Sequence, residues 1–198
     1  MKLSLKFLPL LLIVIFTLVA FVPDNKKVIV IDAGHGGKDY GAVFQDHREK
    51  DIVRKIAQEI VNASDNYNIE VHIIGEEDEF FELTERVKVV NHLNPDLLIS
   101  LHVGTSDNGA ETGPKAFVSS KNPQHEKARL IAAKILSDLD AKQTVNIIDQ
   151  DLHLLKHVTC AAVTLEMGYL SNELDRAQLT SEEGQKAIGH TILRSIVE

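Results

Sequence analysis

Four residues in this sequence stand where chemistry could be done. His35 follows the β-forming run "VIVIDAG", His102 follows "LLISL" and Glu166 follows "AAVTL". Each is an ionisable side chain abutting a run of strand formers. The fourth, Glu49, opens a helical stretch close to the glycine turn that carries His35. Two imidazoles and a carboxylate make a catalytic zinc set. Zinc takes three protein ligands there and leaves the fourth position to water, whose pKa falls to about 7. A second carboxylate, not bound to metal, takes the water's proton and delivers it to a leaving amine. His35, Glu49 and His102 as ligands, with Glu166 as general base, fill every role. Gly34, Gly36 and Gly37 let the backbone turn sharply beside His35 and leave room for metal and substrate.

Each residue also has a plainer explanation. The chain holds nine histidines, so two near strand ends fall within chance. His102 alone reads equally well as a satisfied core histidine. Glu49 alone is an acid in a helix's first turn, where the dipole favours it. Glu166 is harder to set aside, because a carboxylate in so apolar a strand needs a partner, hydrogen bonds or a metal. "GHGG" alone is weak, since glycine turns after strands also cradle phosphate. It is not G-x-G-x-x-G, and it lacks the lysine of a P-loop. The histidines at 47, 72, 92, 125, 153, 157 and 190 read mostly as surface or packing residues, with His47 the substitute ligand to watch. The one cysteine, Cys160 in "TCAAVTLEMG", reads as a buried structural thiol, and no intrachain disulfide can form.

The elements that must position these residues alternate. "KVIVIDAG", "YNIEVHIIG", "PDLLISLHVG", "KAFVSS" and part of "LLKHVTCAAVTLEMGYL" read as strands. "EKDIVRKIAQEIVNA", "LTERVKVVNHLN", "NPQHEKARLIAAKILSDLD" and "TSEEGQKAIGHTILRSIVE" read as helices, the second with Thr84 as a start and Asn94-Pro95 as its end. This predicts a single α/β domain over 25–198, a twisted, mostly parallel sheet with helices on both faces. In such sheets reactive groups gather at the carboxyl ends of the strands. Before the domain, Lys2 and Lys6 precede an apolar run over 7–22. Residues 1–24 therefore read as a signal peptide or an N-terminal membrane anchor, which sends the domain out of the cytoplasm. No cysteine stands there, so a lipoprotein signal is excluded. The net charge of −8 and the lack of basic runs argue against nucleic acid as a partner.

Four blocks, in order, resemble the zinc-dependent N-acetylmuramoyl-L-alanine amidases of the amidase-3 type: "IDAGHGGKDYGA", "EKDIVRKIAQEI", "LTERVKVVNHLNPDLLISLHVG" and "AAVTLEMGYLSNELDRAQLTS". The resemblance implies zinc bound by His35, Glu49 and His102, with Glu166 catalytic. It implies hydrolysis of the amide between the lactyl group of N-acetylmuramic acid and L-alanine of the stem peptide. The substrate would be peptidoglycan and the location the cell envelope, in the periplasm or on the outer face of the cytoplasmic membrane.

The sequence departs from the family pattern in two places. Val103-Gly104 follows His102 where the family has Ala-Asn, which predicts an altered substrate contact beside the metal. "IIGEEDEFF" replaces a Thr-Arg pair at the end of the second strand, a departure that bears on the substrate-side electrostatics. Some relatives carry an insertion whose helix plugs the zinc site. Here the segment from Ala141 to Leu152 is too short to hold one, which predicts an open site. Three other readings compete: a zinc peptidase acting on stem peptides, a non-catalytic wall-binding domain, and an exported phosphate- or nucleotide-binding domain using "GHGG".

Overall fold

The computed structural model describes residues 26–107, 109–141 and 145–197. The expected signal or anchor over 1–24, with its apolar run 7–22, lies outside the described residues. Among those described, no helix is long and apolar enough to cross a membrane.

In chain order the strands are β1 (Lys27–Ala33), β2 (Val43–Phe44), β3 (His47–Arg48), β4 (Ile69–Ile74), β5 (Leu97–Gly104), β6 (Lys115–Val118), β7 (Ile147–Asp149) and β8 (Ala161–Tyr169). The helices are α1 (Glu49–Ser64), α2 (Leu83–Leu93), α3 (His125–Leu139), α4 (His153–His157), α5 (Glu173–Thr180) and α6 (Glu182–Val197). Six strands form one sheet in the order β4-β1-β5-β8-β6-β7. β4, β1, β5 and β8 run parallel. The "KAFVSS" strand, β6, runs antiparallel to β8, and β7 runs parallel to β6. The expected α/β fold with a mostly parallel sheet is the one observed. The chain passes from β1 through α1 to β4 on one side, then through α2 to β5 on the other. That reversal opens a crevice beyond the carboxyl ends of β1 and β5.

Each strand shows one face to each of two cores, because side chains alternate along a strand. Ile29, Ile31, Leu97, Ile99, Leu101, Ala161, Val163 and Leu165 pack with α1, α3 and α6. Val30, Leu98 and Ala162 pack on the opposite face with Val90 of α2 and Leu154 and Leu155 of α4. On this second face the apolar pattern stops towards the carboxyl ends. Asp32, Ser100, His102, Thr164 and Glu166 continue it, and all five line one cleft. The helix cover there is short, so the polar ends of the strands stay reachable.

α2 begins one residue before Thr84. Glu82 is its N-cap, in a capping box with Glu85, and Asn94, the expected end, closes it in a left-handed conformation. Its inner face presents Arg86, which is 3% exposed. The guanidinium pairs with Asp32, itself 2% exposed, and Ser100 Oγ donates to the other Asp32 oxygen at 2.6 Å. Arg86 also donates to the carbonyls of Ala33, at 2.9 Å, and of His35. A buried guanidinium with these partners fixes both the end of β1 and the turn after it.

Removing one member of a buried ion pair strands the other charge and costs about 3–5 kcal/mol. Arg86→Leu is therefore expected to lower the unfolding free energy by about that amount in urea titrations. Asp32→Asn added to Arg86→Leu is expected to restore part of the loss. A single variant as stable as the parent chain would show that the pair does not carry the end of β1.

Candidate active site

β1 ends at Ala33, and the chain turns within two residues to bring His35 over the sheet edge. His35 adopts a left-handed backbone, with φ of 67°. Such a conformation costs a non-glycine residue about 1–3 kcal/mol and persists only where its surroundings fix it. Arg86 on its carbonyl and Asp39 Oδ2 on its ring Nδ1, at 2.9 Å, supply that fixing. Gly34 is required by contact: a Cβ there would lie 2.5 Å from Cε1 and 2.8 Å from Nε2 of His102.

Glu49 is the first residue of α1 and is 4% exposed. Its Oε2 accepts from the Ala42 N–H at 2.7 Å and faces His35 Nε2 at 3.0 Å. Its Oε1 accepts from the Val103 N–H at 2.8 Å and faces His102 Nδ1 at 2.9 Å. One backbone donor and one imidazole thus hold each oxygen. The Glu49 approach depends on Gly41, whose φ of 65° suits glycine and where a Cβ would strike Oε2. The two rings meet edge to face, with centroids 5.0 Å apart.

Burial pushes the Glu49 carboxyl up, but His102 and His35 outweigh it and hold the group well below the usual carboxylate range. Burial also pulls His35 down, and its bonds to Glu49 and Asp39 reverse this, leaving it pushed up to about 9. Asp39 itself is held below its ordinary value by His35 and the Gly41 N–H, against the effect of burial.

Three of the four residues expected from the sequence come together. One ligand atom each from His35, Glu49 and His102 lies within 4.8 Å of the others, a donor set suited to a metal ion. Asp39 holds the His35 ring by Nδ1, as an outer carboxylate does for a histidine that offers its other nitrogen to a metal. Glu166 stands outside the cluster, level with His102 in the β5–β8 pairing, and lines the same cleft. His47 does not join them. It sits in β3 beside a separate small cavity with Asp46 and Asp51. Cys160 is buried, and burial pushes its thiol up to about 11, as suits a structural role.

The cleft measures about 630 Å³. Phe80, Phe81 and Leu83 line it on one side, and Phe117, Leu152 and His153 also face it. The His35 and His102 side chains are 21% and 28% exposed, so the cluster is open to the cleft. Sequence reasoning missed Asp39, Arg86 and His153. A charged Asp32 inside an apolar strand was the available signal for Arg86, since it demands a buried partner. His153 carried no such signal, because α4 is too short to show a period.

Known proteins resemble this chain in sequence and in fold. The family model Amidase_3, described as N-acetylmuramoyl-L-alanine amidase, matches residues 29–198. The chain is similar to the germination-specific N-acetylmuramoyl-L-alanine amidase of Bacillus subtilis, 26% identical over 191 residues that cover 89% of this chain and 81% of the relative. It is also similar to the probable cell wall amidase LytH of Staphylococcus saprophyticus, 28% identical over 184 residues that cover 89% of this chain and 58% of that one. Among solved structures, the catalytic domain of CwlV, an N-acetylmuramoyl-L-alanine amidase from Bacillus (Paenibacillus) polymyxa var. colistinus, matches with a TM-score of 0.79. The two are 30% identical, and the match covers 86% of this chain and 96% of that one.

If the cluster is a metal site, the full chain dialysed against a divalent transition metal is expected to retain one ion. His102→Ala is expected to retain none. Asp39→Asn is expected to weaken binding about 10- to 100-fold through the outer bond to His35, read by competition with a chromophoric chelator. Equal metal content in all three proteins would place the ion elsewhere.

Proposed function

The chain belongs to the Amidase_3 family of N-acetylmuramoyl-L-alanine amidases, and from that membership we propose that it is a zinc hydrolase of peptidoglycan. The reaction is cleavage of the amide between the lactyl carbonyl of N-acetylmuramic acid and the nitrogen of L-alanine. The observation that carries this reading is the convergence of His35, Glu49 and His102 in a cleft that Glu166 also lines.

The residues present fit zinc: two imidazole nitrogens and one carboxylate, with one ligand atom from each within 4.8 Å of the others. When bound, zinc supplies Lewis-acid polarisation of the carbonyl and acidification of a water. The other roles fall to the chain's own side chains. Asp39 holds the His35 ring by Nδ1 and leaves Nε2 as the ligand atom. The Ala42 and Val103 N–H groups keep Glu49 in place when the imidazoles turn to the ion. Glu166 takes a proton from the attacking water and gives it to the departing nitrogen. The C–N bond breaks, the lactyl carbon gains a carboxylate oxygen, and L-alanine leaves as the free amine terminus of the stem. The aromatic and aliphatic walls of the cleft keep bulk water from the reacting amide.

The reading places the domain in the cell envelope, where peptidoglycan lies. Residues 1–24 would export or anchor it, and these lie outside the described residues. The exposure of both histidines to the cleft supports a site that needs no partner to open it.

Purified peptidoglycan digested with the zinc-loaded full chain, without any added protein, is expected to release stem peptides beginning at L-alanine, read by mass spectrometry. A chelator is expected to abolish the release. Glu166→Gln is expected to keep its zinc and lose about 10²- to 10⁴-fold in kcat, the usual contribution of a general acid–base group. Shortened stems on intact glycan would instead identify a stem peptidase. Silence until a second protein is added would refute the open site.

A further inference from the structure

β6 carries a charge at the site that the amidase chemistry above does not use. In the antiparallel β6–β8 pair, Lys115 stands directly opposite Glu166. Opposite residues of an antiparallel pair project to the same face. Here that face is the cleft side of the sheet, and Lys115 Nζ lies 2.9 Å from Glu166 Oε2.

The ammonium is itself constrained. It lies 5.1 Å from the centre of the Tyr169 ring and 5.4 Å from that of Phe117. The Tyr169 hydroxyl is near enough to both Lys115 and Glu111 to interact with each. Burial pulls the Lys115 amine down, and the bonds to Tyr169 and Glu166 outweigh it and leave it above its ordinary value. Glu166 is closed in from β5 as well. A Cβ on Gly104 would lie 2.9 Å from Glu166 Oε2 and 2.9 Å from the Tyr169 ring. That carboxylate oxygen therefore faces a lysine on one side and the bare backbone of Gly104 on another.

We propose that Lys115 is a positioning residue for the general base: it ties down Glu166 Oε2 and presents Oε1 to the reacting water. This rests on the amidase reading above. The grip serves both halves of the proton transfer. As the water's O–H bond breaks, the proton forms a bond to Oε1, and the carboxylate's ion pair with Lys115 is weakened. Passing that proton to the departing amide nitrogen restores the carboxylate and the pair. Tyr169 acts one step further out, by holding Lys115 where it reaches Oε2.

The test compares Lys115→Met, Lys115→Gln, Lys115→Arg and Tyr169→Phe with the parent chain, all as zinc-loaded full chains acting on soluble muropeptide. Zinc content and the thermal midpoint are measured for each. Displacing a reacting group by about 1 Å costs on the order of 100-fold. Lys115→Met and Lys115→Gln are accordingly expected to lose about 10- to 100-fold in kcat with KM within about twofold. Lys115→Arg is expected to recover most of that loss, and Tyr169→Phe to show a smaller loss in kcat alone. A rise in KM with kcat intact would overturn the proposal and make Lys115 a substrate contact. So would an unchanged kcat, or an arginine variant that folds yet is no faster than Glu166→Gln. If neither neutral variant folds, the arginine and Tyr169→Phe comparisons decide by the same criteria. A parent chain that releases no stem peptide would refute the amidase reading itself, which separates the two failures.

Discussion

The Arg86–Asp32 pair is the constraint on which the site depends. A left-handed histidine is not a conformation that a free loop holds. Here the turn after β1 has no helix or strand of its own to stabilise it. Arg86 replaces one: a single guanidinium bonds the last acidic residue of the strand, the carbonyl of Ala33 and the carbonyl of His35. Because Arg86 comes from α2, the orientation of that helix and the aim of His35 are coupled. The capping box at Glu82 and the left-handed cap at Asn94 fix where α2 begins and ends, and so fix Arg86.

A second tie comes from the acidic segment after β4. Its four acids, from Glu76 to Glu79, bear, from sequence, on the substrate-side electrostatics. The structure assigns Asp78 a scaffold role instead. Asp78 accepts from the Gly37 N–H at 3.0 Å and pairs with Lys50 at 2.9 Å. Lys50, only 6% exposed, also donates to the Gly37 carbonyl at 2.8 Å. The glycine turn is thus clamped by Arg86 at its start and by Lys50 and Asp78 at its middle. Lys50 follows Glu49 on α1, so one helix turn supplies both a candidate ligand and a clamp. Glu76, Glu77 and Glu79 remain exposed, and Phe80 and Phe81 turn from the same segment into the cleft.

The fold was legible in the sequence wherever one element was long enough to show a period. β1, β5 and β8 begin as apolar runs because both faces are covered there, and α1, α3 and α6 repeat their apolar residues at helical spacing. What escaped was short or relational. β2, β3 and β7 have two or three residues each, and α4 hides inside "LLKH", where leucines suit a strand equally well. The short helix α5 merges with α6 in any windowed reading, because only Ser181 separates them. The candidate site was legible to the extent that its residues stand near the carboxyl ends of strands. His35, His102 and Glu166 all do, and Glu49 begins a helix. Asp39, Arg86 and Lys115 were not legible in their roles, because each acts through a partner that only the folded sheet brings close.

The Val103-Gly104 departure shows the same difference between sequence position and spatial role. From the sequence these two residues neighbour His102 and invite a substrate contact. In the structure Val103 is 3% exposed and packs in the larger core. What it gives the site is its backbone N–H, held by Glu49, and any side chain that fits the core preserves that bond. Gly104 lies where the β5–β8 register shifts, and its carbonyl accepts from the Leu170 N–H at 2.9 Å. Its missing side chain is the space into which Glu166 Oε2 and the Tyr169 ring fit. An asparagine there would have to displace one of them. A chain that places a lysine opposite Glu166 and a tyrosine three residues later needs glycine at 104 for all three groups to meet. Gly104 and Lys115 therefore belong to one arrangement around Glu166.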